Sequence, residues 1–113
     1  MKFDDYQAQA KEFDLFEATD DLNNLAFLEK VLGLAGEAGE VTDKVKKILR
    51  DKGGYADKEE SEAIKKELGD VIWYVASIAR YLDIPLSEVA QCNIEKLSSR
   101  KKRNKLHGEG DAR

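Results

Sequence analysis

The 113-residue chain is poor in several residue types, and each shortage closes a line of reading. Its single cysteine, Cys92, excludes an internal disulfide and any thiolate metal cluster within one chain. His107 is the lone histidine, so zinc lacks imidazole ligands, and a ferritin-like di-iron centre lacks its two Glu-x-x-His elements. One proline leaves little to interrupt helices. No run reaches the roughly 18 apolar residues of a membrane span, and "MKFDDYQAQAKEF" has no apolar segment of a secretory leader. The expectation is therefore a soluble, cytoplasmic chain that does not engage a membrane. There is neither a GxxxxGK[ST] loop nor a strand-linked GxGxxG, so no glycine loop would cradle a phosphate.

What is present points to helices. Hydrophobic residues make up 42% of the chain and charged residues 37%, the balance of a single soluble helix-rich domain. The net charge of −4 is uneven: Lys96 to Arg113 carries seven basic and two acidic residues, leaving the preceding part near −9. An acidic body with a basic tail is not the footprint of a duplex-DNA binder, and no nucleic-acid partner is expected.

Periodicity predicts four helices and no strand, an all-α fold of four to five helices forming bundles by homo-oligomerisation. The first runs from about Asp4 to Phe16, with Phe3, Tyr6, Ala10 and Phe13 on one stripe. "ATDD" offers Thr19 or Asp20 as N-cap for a second that ends near Arg50. "DKGGYADK" breaks the pattern, and Asp57 with Glu60 forms a capping box for a third that reaches Leu82. Pro85 opens a fourth that ends near Arg103. The helical domain then covers 1–104, followed by an irregular basic tail over 105–113. Phe3, Phe13 and Phe27 read as core.

The second helix carries "GLAGEAGEV". Three glycines in a helix cost about 1 kcal/mol each relative to alanine, so something must offset them. Glu37 and Glu40, spaced i,i+3, border the broad apolar face, and Lys44 falls between them in angle. The reading places the glycines on the opposite side of the cylinder, where another backbone can come close. The third helix repeats the device: Glu67 and Asp70 border Ile64, Leu68, Val71, Ile72, Val75, Ile78 and Leu82. Beyond Asp70 it is apolar almost all round, with Trp73 opposite Val75, which implies burial on two sides. In so short a chain the second cover is most simply another subunit, with Glu67 and Asp70 away from water.

Carboxylates kept from water need a partner, a proton or a metal. Two acidic pairs on neighbouring helices bring four like charges around one point, an arrangement suited to a divalent cation. All-oxygen ligands favour Mg²⁺, with Mn²⁺ as a substitute. On the fourth helix Asn93 falls inside the apolar stripe, and Lys96 and Arg100 lie on its border. These three are candidates to face phosphates, with arginine supplying a bidentate fork. Lys44 joins them as a candidate substrate contact. Tyr6, Gln7, Phe13, Phe16, Trp73, Tyr74 and Tyr81 are candidates for stacking on a base or sugar, although aromatic stripes at helical spacing more often belong to a core.

"GLAGEAGEVTDKVKK", "KKELGDVIWYVASIA" and "NIEKLSSR", in this order on three successive helices, resemble the MazG-like all-α nucleoside triphosphate pyrophosphohydrolases over most of Leu32 to Arg100. The resemblance implies that Glu37, Glu40, Glu67 and Asp70 are magnesium ligands, that Lys96 and Arg100, accompanied by Asn93, lie near the phosphates, and that Tyr74 stands near the nucleotide. It further implies hydrolysis of an NTP or dNTP to the monophosphate and pyrophosphate, for nucleotide-pool control, in a homodimer or homotetramer. Water would attack the α-phosphorus, with Glu40, or Glu37, as the catalytic carboxylate that takes its proton. Two other readings stand beside this one. One is a phosphoribosyl-ATP pyrophosphohydrolase-like enzyme, and the other a non-catalytic helical oligomer that binds a partner.

Overall fold

The computed structural model describes residues 1–104, 108 and 110–112. Its described residues form four α-helices and no strand: α1 (Phe3–Ala10), α2 (Leu25–Lys52), α3 (Lys58–Tyr81) and α4 (Leu86–Lys102). A 3-10 turn over Lys11–Phe13 follows α1. Of the tail assigned to 105–113, positions 105–107, 109 and 113 lie outside the described residues.

The axis of the molecule is the α2–α3 hairpin. At about 1.5 Å per residue the 28 residues of α2 extend roughly 42 Å. Its start is set by Asn24, whose side chain accepts from the Ala26 amide at 2.9 Å. The N-cap therefore lies later than Thr19 or Asp20. Thr19 and Asp21 instead bond within their own loop, the Thr19 hydroxyl accepting from the Asp21 amide and the Asp21 carboxylate from the Asn23 amide. The helix ends at Gly53, whose φ of +69° is the left-handed turn that glycine adopts without strain. Asp57 and Glu60 form the capping box anticipated for α3, and Lys52 reaches both of their carboxylates.

Pro85 precedes α4 and offers no side-chain cap. α1 supplies one instead: Asp4 accepts from the Ser87 amide and hydroxyl, and the Gln7 side-chain oxygen accepts from the Leu86 amide. The Gln7 amide nitrogen also donates to the carbonyls of Ala76 and Ile84, so this residue is a clamp joining three helices rather than a free stacking partner.

Several expectations about burial are corrected. Phe27 is core, but Phe13 is 74% exposed, because α1 stops at Ala10 and the 3-10 turn takes Phe13 off the stripe, and Phe3, the first residue of α1, is half-exposed. Trp73 is covered within the chain: it donates to the Ala10 carbonyl at 3.1 Å, so α1 takes the side of α3 that had been assigned to another subunit. Asn93 is exposed on α4, as are Val89, Ile94 and Leu97 of the same stripe, because α4 packs chiefly through its first turn against α1.

Candidate metal centre

α2 and α3 run antiparallel, so positions along one fall as positions along the other rise. Lys44 meets Glu67, Gly33 meets Tyr74, and Phe27 meets Tyr81 edge-on. In this register Glu37 faces the gap between Glu67 and Asp70. One carboxylate oxygen from each of Glu37, Glu67 and Asp70 lies within 4.8 Å of the other two. Burial and the neighbouring charges of Asp70, Glu67 and Glu40 push the Glu37 carboxyl above its ordinary value, and a hydrogen bond with Glu67 adds to the effect. Such mutual repulsion is what a divalent cation relieves, and an all-oxygen donor set suits Mg²⁺ or Mn²⁺.

The other anticipated residues are distributed as follows. Glu40 lies one turn beyond Glu37 on α2, exposed and outside the trio, yet near enough to raise Glu37. Lys44 does not pair with Glu40 as an i,i+4 partner would; its Nζ lies 3.3 Å from Glu67. Lys96 and Arg100 bond to Asp111 and Gly110 on the far end of α4, not to the trio. In the single chain Asp70 is exposed and Glu67 half-buried, and the gap between the helices is open on the side that a second subunit is expected to close.

Tyr74 sits close enough to the acids to feel the charges of Glu37 and Asp70. Its ring occupies the notch left by Gly33; a Cβ there would lie 2.1 Å from the ring. Burial raises the Tyr74 hydroxyl, and the charges of Glu29, Glu37 and Asp70 raise it further. Gly33, four residues before Glu37, is thus on the acidic side of α2 as a period of 3.6 requires, which corrects the placement of all three glycines on the opposite side. Gly36 and Gly39 have nothing near a would-be Cβ among the described residues, so these two leave the outer side smooth.

One cluster went unforeseen. Asp14, in the loop before α2, accepts from the Tyr81 hydroxyl at 2.6 Å, Arg80 at 2.7 Å, the Phe16 amide at 3.0 Å and Lys30 at 3.0 Å. Lys30 is 1% exposed, with Phe16, Tyr81 and Trp73 rings about its ammonium and Glu29 as a further partner. Burial alone would raise the Asp14 carboxyl, but these donors hold it down at about 2. Tyr81 and Phe16 are committed here rather than free to stack on a ligand. A lysine inside the apolar run "LAFLEKVLGLAG", on the same side of the helix as Gly33 and Glu37, was the available signal.

The family model described as the MazG nucleotide pyrophosphohydrolase domain matches residues 27–104, from the inner end of α2 to the end of α4. The chain belongs to the MazG family. It is also 46% identical to the "Gene 37 protein" of Mycobacterium phage L5, over the full length of both chains. No solved structure gives a significant match. The matched segment contains the whole acidic trio, Tyr74 and the α4 cations, whereas α1 and the Asp14 loop, which cover Trp73 and pin Lys30, precede it. No described helix is long and apolar enough to cross a membrane.

Proposed function

We propose that the chain is a divalent-metal-dependent pyrophosphohydrolase that cleaves an NTP or dNTP to the monophosphate and pyrophosphate. The observation that carries this reading is the convergence of Glu37, Glu67 and Asp70 from two helices. Those three, with Glu40 beside them, would hold Mg²⁺, which when bound neutralises phosphate oxygens and favours attack by water at the α-phosphorus. Glu40, exposed and outside the trio, is free to accept a proton from the attacking water. Lys44, fixed 3.3 Å from Glu67, sets a positive charge at the border of the acids, where a departing pyrophosphate would find it. Tyr74, in its Gly33 notch, offers a wall for the nucleoside. In this reading Asn93, Lys96 and Arg100 serve the phosphates.

The reading includes a homodimer or a higher assembly of dimers. Leu25, Leu28, Val31, Leu32, Val45 and Leu49 leave an apolar strip along α2, with Leu32 71% exposed, and an open groove of about 640 Å³ runs beside Val41, Val45 and Leu49. Smooth Gly36 and Gly39 positions lie in the same strip, so a second α2 could pack closely against it.

The test is a panel of NTPs, dNTPs and phosphoribosyl-ATP with Mg²⁺, read for pyrophosphate against orthophosphate. Pyrophosphate from an NTP or dNTP, lost in Asp70→Asn and Glu40→Gln with helicity intact, is the expected result. Turnover of phosphoribosyl-ATP alone would move the substrate. No product and no stabilisation by Mg²⁺ would leave a partner-binding helical oligomer.

A further inference from the structure

We infer that Lys96 and Arg100 form an oxyanion-binding notch that the chain's own Asp111 fills, so that the C-terminal segment competes with phosphate-bearing ligands for these cations. The inference rests on the proposed role of the two residues toward phosphates and adds an internal competitor for them.

Arg100 is only 4% exposed, an unusual place for a guanidinium near the end of a helix. Its bonds are unevenly shared. Nη2 faces three acceptors, the Gly110 carbonyl at 3.3 Å, the Asp111 carbonyl at 2.9 Å and Asp111 Oδ1 at 3.3 Å, although it carries only two hydrogens. Nε, buried in the same place, has no hydrogen-bond partner among the described residues. A guanidinium is matched by two oxygens of one group bonding in parallel to its fork, and the tail does not provide that match. Lys96 Nζ meets the same Asp111 Oδ1 at 3.1 Å, so one carboxylate oxygen bridges both cations.

The occupant is weakly held. The Asp111 side chain is 88% exposed, and an ion pair so open to water adds little stability. A phosphate has more oxygens than the carboxylate and could engage Nε, Nη2 and Lys96 Nζ together. The geometry therefore favours exchange of Asp111 for a phosphate group when one is available, with the tail reducing apparent affinity.

The experiment is calorimetric titration of inorganic pyrophosphate in EDTA-containing buffer, so that the acidic trio holds no metal and contributes no binding. The chains compared are the full-length protein, Asp111→Asn, a chain ending at Asn104, and Lys96→Gln and Arg100→Gln. Release of the tail should tighten binding by roughly two- to fivefold, with Asp111→Asn changing it in the same direction by less. Both cation variants should weaken it; Lys96→Gln stands in if the buried Arg100→Gln fails to fold, as judged by circular dichroism. Equal or weaker binding by the shortened chain overturns the competition, and unchanged binding in Lys96→Gln overturns the notch. Turnover plays no part in this readout. A chain that shows the affinity pattern without cleaving nucleotides retains the clasp and loses the hydrolase, whereas one that cleaves them with the same KM with and without the tail does the reverse.

Discussion

Gly33→Ala isolates the contact that seats Tyr74 beside the acids. The added methyl would lie 2.1, 2.3 and 2.7 Å from three ring carbons, where non-bonded carbons prefer about 3.5–4.0 Å. The ring must therefore move by more than an ångström. It cannot swing freely, because it meets Trp73 edge-on at 5.0 Å and Trp73 is tied to the Ala10 carbonyl. Overpacking of this kind costs about 1–3 kcal/mol. Alanine in place of a helical glycine returns about 1 kcal/mol, so the net loss should fall between near zero and about 2 kcal/mol. The sharper quantity is the coupling. In a Tyr74→Ala background the clash is gone and Gly33→Ala should stabilise. Urea unfolding of the two single variants and the double variant, followed by far-UV circular dichroism at one fixed protein concentration, yields an interaction energy of about 1–3 kcal/mol. If Gly33→Ala stabilises equally in both backgrounds, the notch is not what this glycine provides. Trp73, the lone tryptophan, should report the displaced ring by fluorescence.

Other outcomes follow from the same contacts. Asp14→Ala strands the buried Lys30 and should cost about 3–5 kcal/mol in chemical denaturation. The Asp14 carboxyl is held at about 2 against an ordinary 3.8, so its stabilisation, about 2 kcal/mol, is complete above pH 4 and lost as pH falls toward 2; a stability–pH profile of Asp14→Asn should lack that slope. Removing the α3 cap by Asp57→Ala should cost about 0.5–2 kcal/mol in the same assay. Mg²⁺ should raise the melting temperature of the parent chain and leave Asp70→Asn unmoved. Leu32→Glu with Leu49→Glu should give monomers in light scattering, and an unchanged mass would release the α2 strip from any role in assembly.

The helical class and the capping box at Asp57 and Glu60 were legible, because each depends on spacing within one helix; the sequence offered Glu37, Glu40, Glu67 and Asp70 as ligands, and the fold draws three of these, Glu37, Glu67 and Asp70, together while leaving Glu40 one turn away. The first helix was overextended, since no local signal separates an α-helical turn from the 3-10 turn over Lys11–Phe13. Asp14 and Lys30 were missed for a related reason: a loop carboxylate and a helical lysine sixteen positions apart look like surface charge until a third element encloses them.

The residues alone determined the two acidic pairs and the apolar strips, since a period of 3.6 puts i and i+3 on one face whatever surrounds them. Tertiary structure decided what those faces meet. It set Gly33 under Tyr74, turned α1 over Trp73, and enclosed Lys30 among three rings. Those outcomes depend on the register of α2 against α3 and on where α1 crosses them, and both are fixed by contacts between different elements, which the periodicity within one helix does not encode.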